Sequence, residues 1–387
     1  DFVARDRELA RRFAAAALAS GIRRIVYLSG LHPAGELSAH LASRVEVGEI
    51  LLASGVPTAV LQAGVVLGDG SASYDMLRHL TERLPAVVAP KWLRNRIQPI
   101  AIADAVHYLV GAADLPSEVN RTFDIGGPDI LTYAEMMRRY AVVAGLGRRF
   151  IATVPVLTPG LASHWVGVVT PVSAGVARPL VGSLVHDVVC TEDDIVALVG
   201  EPPGGRTGFD DAIRTTLTTV DPTRWGRALR RSAVMCGATA LVGSLLTTPD
   251  SAWYRSLDKP PWQPPALAFP VVWTALYSTI AVASAATTQE LEESGRGGAA
   301  TAYTKALAVN LVLNAGWSGL FFRLRRLGVA TAGASALAVS SGDLARRASA
   351  AGTGKGVALG TYAGWCAFAT ALTGEVWRRN RGRRRCV

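Results

Sequence analysis

Between residues 232 and 376 five charge-poor apolar stretches follow one another, and no other feature of the sequence limits the fold so strongly. They lie near 232–248, 265–287, 306–322, 327–342 and 356–376. Each is apolar over about 16 to 23 residues, the length a helix needs to cross a hydrocarbon layer about 30 Å thick. Short connections make a compact helical bundle the economical arrangement. In the fourth, LGVATAGASALAVSSG, the Ala, Gly and Ser residues suit close helix contact better than lipid exposure.

The whole chain has 387 residues, 50% hydrophobic and only 18% charged, yet its first 220 residues carry ordinary charge density, so two domains are expected. The net charge of +10 comes largely from Arg beside the apolar stretches: Arg224, Arg227, Arg230 and Arg231 before the first, and a run from Arg378 to Arg385 after the last. That placement favours anionic lipid head groups over DNA, and no basic groove with interleaved aromatics is visible, so nucleic acid is not an expected partner. Cys190, Cys236, Cys366 and Cys386 show no C-x-x-C pairing and no nearby His cluster. Neither a disulfide framework nor a metal site is expected. The chain opens on Asp1, inside a structural motif and with no visible signal peptide, as expected of a piece of a longer reading frame.

The first domain alternates. Helical periodicity from Arg5 to Ala19 stops at Gly21, and IRRIVYLSG follows as a buried parallel strand. A helix around Leu41 to Leu52, the strand TAVLQAGVVLG, a helix from about Tyr74, a strand around RIQPIAI and a helix opened by Asp104 as N-cap continue the pattern. Such alternation predicts a doubly wound α/β sheet. The Pro-rich stretch from about Phe150 to Val220 reads as a cap and linker, in which Trp165 and Val166 are either core or a membrane-facing patch. Gly126-Gly127-Pro128 reads as a turn.

YLSG at Tyr27 to Gly30, LQAGVVLG and RIQPIAIADA together resemble the atypical short-chain dehydrogenase/reductases, close to the NmrA-like NAD(P)H-binding proteins, over roughly residues 1 to 150. The resemblance implies a Rossmann-like fold, NADP or NAD in the full-length protein, and Ser29 at the position of the catalytic serine. The glycine turn that cradles the pyrophosphate is absent, and by the family's order it is expected upstream of Asp1. Where active members carry Tyr-x-x-x-Lys this chain has His40-Leu-Ala-Ser-Arg44. Imidazole can carry protons and Arg44 can bind ribose or phosphate. The alternative is that His40 and Arg44 are solvated residues on a helix face, and that Ser29 is a strand-end hydroxyl.

In the second domain polar and aromatic residues fall on stripes. Phe269, Trp273 and Tyr277 recur every four residues; Asn310, Asn314, Trp317 and Phe321 share one face, as do Tyr362, Trp365 and Ala369. Asn in hydrocarbon needs a partner, so Asn310 and Asn314 should face the bundle interior, either holding helices together or lining a site. Trp253 and Trp377 suit an interfacial belt, whereas Trp273, Trp317 and Trp365 sit inside their stretches.

WYxxLxKPxWxPP from Trp253, FxxVWTxLY from Phe269, LNxxWSxLFF from Leu313 and the Tyr362-x-x-Trp365-x-x-x-Ala369 helix resemble the TspO/MBR family, the tryptophan-rich sensory proteins related to the peripheral benzodiazepine receptor. The likeness spans roughly residues 230 to 380. It implies five transmembrane helices around a ligand cavity covered by the Pro264-Pro265 loop, which presets the start of the second helix. The implied ligand is a porphyrin, haem or other hydrophobic small molecule, lined by Trp262, Trp273, Asn314, Trp317, Tyr362 and Trp365, with Ala369 leaving room. A flat apolar tetrapyrrole suits aromatic walls with a few polar groups. ALTGEVWRR lacks the tyrosine of the animal sterol motif, so sterol is not the expected ligand.

The expected domains are therefore 1–150, a partial Rossmann-like α/β fold lacking its first strands; 151–222, cap and linker; and 223–387, an all-α five-helix membrane bundle. A multi-pass membrane protein with a cytoplasmic first domain follows, partnered by lipid, by its hydrophobic ligand and by a second copy through the membrane helices. Five crossings place the Arg378 to Arg385 tail outside, against the positive-inside bias; either the fourth stretch does not cross or the family fold overrides the bias, and the second is expected because the motifs imply five helices. The competing expectation is a membrane-anchored NAD(P)-dependent reductase.

Overall fold

The computed structural model describes residues 2–32, 37–154, 170, 180–182 and 186–382. Trp165, Val166, Cys386 and the last arginines of the basic tail lie outside the described residues. The chain divides into two compact units, Asp1–Pro222 and Thr223–Val387.

In chain order the first unit holds α1 (Phe2–Ala19), β1 (Ile25–Gly30), α2 (Ala39–Leu52), β2 (Thr58–Ala63), β3 (Val66–Leu67), α3 (Ala72–Arg83), β4 (Ala86–Pro90), β5 (Arg96–Ile97) and β6 (Ile100–Ala101). It continues with α4 (Ile102–Gly111), β7 (Arg121–Ile125), β8 (Leu131–Thr132), α5 (Tyr133–Val143), β9 (Phe150–Val154), α6 (Asp194–Val199) and α7 (Phe209–Thr216). Helix α1 buries Ala10, Ala14 and Ala17, one stripe at helical spacing, and ends at Gly21, whose left-handed φ of 64° costs only a glycine nothing. The main sheet runs β1-β2-β7, all parallel. Strand β2 lies in its middle and is buried at every position, which suits its apolar centre Ala59-Val60-Leu61. The result is a Rossmann-type α/β unit.

Two expected strands are interrupted. TAVLQAGVVLG breaks at Gly64, where a Cβ would lie 3.0 Å from the Gln98 carbonyl, and resumes as β3 paired with β6. RIQPIAI breaks at Pro99, which has no N–H to give a ladder; its carbonyl instead accepts the Gly127 N–H at 2.9 Å. Asp104 does not cap α4, which begins at Ile102. Its buried carboxylate accepts from the Thr207 N–H at 2.7 Å and hydroxyl at 3.0 Å, so it fastens a later segment onto the helix.

The second unit consists of α8 (Arg224–Leu246), the short α9 (Ala252–Ser256), α10 (Ala268–Glu293), α11 (Gly297–Ser318) with a wide π turn at Gly319–Arg323, α12 (Leu327–Ser349) and α13 (Thr353–Asn380). Each of the five long helices contains most of one apolar stretch and extends beyond it. Helix α10 starts at Ala268, after the Pro264-Pro265 pair that was expected to open it. Pro270 occupies its first turn, where a missing N–H breaks no helical bond.

The interior of this unit mixes apolar and polar groups while its surface is apolar: Leu276, Ile280 and Leu311 are buried in one cluster, and polar side chains are buried with them. Asn310 and Ser341 are fully buried, while Val312 is 71% and Val339 75% exposed. Among the described residues α10 is the helix long and apolar enough by itself to cross a membrane, with a mean hydropathy of 1.4 over a window of which only a third is buried. Apolar surface turned outward with polar groups turned inward is what a hydrocarbon solvent selects. Helices α12 and α13 meet through small residues. Ala330, Ala334, Leu337, Ser341, Leu344 and Ala348 form a buried stripe at alternating spacings of four and three. Close approach is required at Gly356, where a Cβ would sit 1.8 Å from the Ser349 hydroxyl oxygen, and at Gly328, 3.1 Å from the Trp377 ring.

Candidate functional site

The α/β unit brings Ser29, His40 and Arg44 together in the wall of one cavity of about 220 Å³. It opens at the C-terminal ends of β1 and β2, because Ser29 and Gly30 end one parallel strand and Ala63 ends its neighbour. Ser38 positions the other two by capping α2: its hydroxyl accepts the Leu41 N–H, and His40 and Arg44 then lie one turn apart. Ser29 Oγ and His40 Nδ1 are both buried without a hydrogen-bond partner. Burial, with the Arg44 charge adding to it, holds the His40 imidazole below its ordinary range, so it is neutral near pH 7. Arg44 donates to the Tyr27 hydroxyl at 3.3 Å. Tyr27 escaped the sequence reading because nothing in a strand's spacing says which helix residue will reach it.

The helical unit sorts its expected site residues into three groups. Trp262 is 47% exposed and packs edge-on against Phe368 at 5.8 Å; Phe368 lies 5.2 Å from Trp365, which meets Phe269 at 6.2 Å. These rings form a continuous row from the proline-rich loop to helices α10 and α13. The Trp365 indole N–H is buried with no acceptor. Ala369, half-buried, follows Trp365 by one turn. Phe368 was missed, although it sits three residues after Trp365 on the same helix.

Trp273 belongs beside a polar ladder. Its ring lies 5.5 Å from Tyr277 and 6.4 Å from Tyr362. Tyr277 donates its O–H to the Asn314 carbonyl at 2.8 Å, and the Asn314 amide donates to the Tyr362 oxygen at 3.0 Å. Tyr362 passes its own proton to the Asn310 carbonyl at 2.9 Å, and the Asn310 amide donates to Ser340 at 3.2 Å and Ser341 at 3.0 Å. Four helices are thereby stitched by one buried chain. Asn314 and Tyr362 both give and accept within it, so their polar atoms are already engaged by protein.

Trp317 stands apart. It stacks on Phe321 at 5.5 Å in a cluster with Trp253, Tyr254 and Phe322, at the end of α11 where the π turn lies. Its indole N–H is likewise buried without a partner. Cations crown this end: the Lys259 ammonium lies 4.0 Å from the Tyr254 ring centre, and the Arg325 guanidinium 5.7 Å from that of Trp253.

Comparison with known proteins gives the helical unit its kin. The chain is 35% identical over 145 residues to the tryptophan-rich sensory protein of Cereibacter sphaeroides, covering 38% of this chain and 86% of that protein. Over 135 residues it is 35% identical to the translocator protein of Ovis aries, covering 34% and 77%. Protein CrtK of Rhodobacter capsulatus is 30% identical over 149 residues, covering 38% and 90%. Among solved structures, an NAD-dependent NDP-hexosamine 5,6-dehydratase has a TM-score of 0.40 at 16% identity, with 55% of this chain and 68% of that one covered. An NADPH-dependent quinone oxidoreductase from Escherichia coli reaches 0.44 at 16%, covering 53% and 72%. Likenesses that loose carry no chemistry across. The sequence model described as the TspO/MBR family matches residues 232–378, and by this match, the identities with its curated relatives and the helical unit that bears them, the chain belongs to the TspO/MBR family.

Proposed function

We propose that the TspO/MBR portion, multi-pass through its five long helices, binds a flat apolar ligand of the tetrapyrrole class and acts as a sensing or transport module. One observation carries this reading: the row Trp262, Phe368, Trp365 and Phe269 contains an indole N–H buried without an acceptor. A buried donor with no partner costs free energy, and a ligand with aromatic faces and an acceptor atom would recover it. Trp273 and Ala369 would form the adjoining wall, with Asn314 and Tyr362 holding its shape. Trp317, packed in its separate cluster, would contribute from the far side. The names of the relatives, tryptophan-rich sensory protein and translocator protein, agree with sensing and transport.

The test is a tryptophan-fluorescence titration of the detergent-solubilised chain with protoporphyrin IX. Wild type should quench saturably, and Trp262→Leu and Trp365→Leu should each weaken binding about tenfold, the worth of one lost ring contact plus its buried area. Equal dissociation constants in all three proteins would overturn the reading.

The Ser29 cavity favours a second function, an NAD(P)-dependent reductase-type activity in the first unit, which would then face the cytoplasmic cofactor pool. A bound nicotinamide would supply hydride chemistry. The residues present fit only its reacting end, since the chain has no G-x-G-x-x-G cradle. Ser29 would donate its free hydroxyl to a substrate oxygen. Neutral His40 would take up a solvent proton and relay it to that oxygen as the substrate is reduced, and Arg44, anchored on Tyr27, would hold a ribose or phosphate oxygen. NADPH fluorescence titration of the full-length protein tests this: binding that is lost in Arg44→Ala and turnover lost in Ser29→Ala are expected. If porphyrin affinity is the same with NADPH present or absent, the two units do not communicate.

A further inference from the structure

We infer that the first unit carries a second ligand site, a polar cavity of about 390 Å³ suited to a small hydroxylated amine. It lies at the C-terminal end of β7, walled by Asp124, by Tyr108 of α4, by the segment leading into α6, and by Arg206. It shares no lining residue with the Ser29 cavity.

Tyr108 makes the first argument. Its side chain is 1% exposed and lines this cavity, yet its hydroxyl has no hydrogen-bond partner. Tyrosines buried in this way normally bond their O–H, because an unmade bond forfeits the full cost of desolvation. A ligand atom that can accept from the phenol would complete it.

Charge makes the second. Asp124, Glu192 and Asp193 line the cavity, and among the described residues the cation lining it is Arg206, which already leans on Glu201 at 3.5 Å; outside the lining, Arg121 reaches Glu192 at 4.0 Å. Glu192 is spent locally, one oxygen accepting the Asp124 N–H at 2.6 Å and the other the Asp194 N–H at 2.6 Å. Asp124 Oδ2 accepts from the Thr191 N–H and hydroxyl at 2.8 and 2.9 Å, leaving Oδ1 without a bond among the described residues. Asp193 precedes α6 but its side chain makes no capping bond. Two carboxylates with spare acceptor capacity beside one engaged guanidinium repel phosphates and carboxylates and attract an ammonium group.

Shape and the thiol complete the description. Gly126 forms part of the floor, and a Cβ there would meet Cys190 Sγ at 2.7 Å and the Gln98 side chain at 2.8 Å, so only glycine lets these three lining residues pack together. Burial, then the neighbouring Asp124 and Glu192, push the Cys190 thiol up to about 12, so it stays protonated and adds no charge. The volume equals about a dozen waters, which holds a six-carbon hydroxylated amine with several waters beside it.

Isothermal titration of the full chain in detergent, at a pH where the amine is protonated, tests the site with D-glucosamine, D-glucose and inorganic phosphate. Glucosamine should bind and glucose should bind at least about tenfold more weakly, because only the ammonium distinguishes them. Phosphate should give no heat. Tyr108→Phe removes one unpartnered oxygen and leaves packing intact; it should weaken glucosamine about tenfold, and the exposed Asp193→Asn severalfold. Any of four results overturns the inference: no glucosamine binding, equal binding of glucose, binding of phosphate, or wild-type affinity in both variants.

Discussion

Replacing Asn310 by Ala cuts the polar ladder at its most connected residue. Asn310 is fully buried on α11 and bonds three side chains on two other helices: Tyr362, Ser340 and Ser341. Interhelical hydrogen bonds in membranes average about 0.6 kcal/mol, so losing three costs about 2 kcal/mol. The Tyr362 O–H then has no acceptor, which adds about 1 kcal/mol. Asn310→Ala should therefore destabilise the bundle by about 3 kcal/mol, a change of more than a hundredfold in the folding equilibrium. Tyr362→Phe deletes the hydroxyl that joins Asn310 to Asn314 and should cost about 1 to 2 kcal/mol. Since both substitutions break the same bond, the double variant should be less destabilised than the two singles together, by about 1 kcal/mol. Unfolding in mixed micelles by graded addition of dodecyl sulfate, followed by tryptophan fluorescence, measures all three. An Asn310→Ala cost below about 0.5 kcal/mol, or strict additivity, would refute the claim that the ladder holds the helices together.

Gly356→Ala places a methyl group 1.8 Å from the Ser349 oxygen and should destabilise the α12–α13 pair by about 1 to 3 kcal/mol, whereas Gly364→Ala, with open space around it, should be near neutral in the same unfolding assay. Imidazole NMR should show His40 titrating below the ordinary value of about 6.5, and a midpoint at or above that value would contradict the burial argument. The sign for stability follows: the unfolded chain takes up this proton first, so the His40 contribution is complete above about pH 6.5 and falls as pH drops towards the folded midpoint. His40→Gln should remove that acid-side slope from the melting curve of the first unit.

Much of the fold was legible because it rests on local rules. Apolar length announced five helices, alternation announced a parallel sheet, and Gly21 marked the end of α1 through a backbone angle only glycine adopts freely. The misplaced boundaries have local causes too. Pro99 and Gly64 interrupt strands that the apolar pattern reads as continuous, and Asp104 forms a tertiary bond to Thr207 in preference to the helix end it resembled a cap for. The site was legible only as a set of candidates. Periodicity places Asn314, Trp317 and Phe321 on one stripe, yet Asn314 turned to Tyr277 and Tyr362 while Trp317 turned to Phe321 and Phe322.

The sequence by itself determined that five long helices build the second half, which stripe of three of them is aromatic or amide-bearing, and that this half is made for hydrocarbon. Only the tertiary structure decided that Asn310, Asn314 and Tyr362 satisfy one another, that Trp365 and Trp317 keep buried donors free, and that Ser29, His40 and Arg44 share one cavity while Tyr108 lines another. The physical reason is that spacing along one element sets the direction of a side chain to within a face, whereas a hydrogen bond forms over about 3 Å and depends on which other face arrives there.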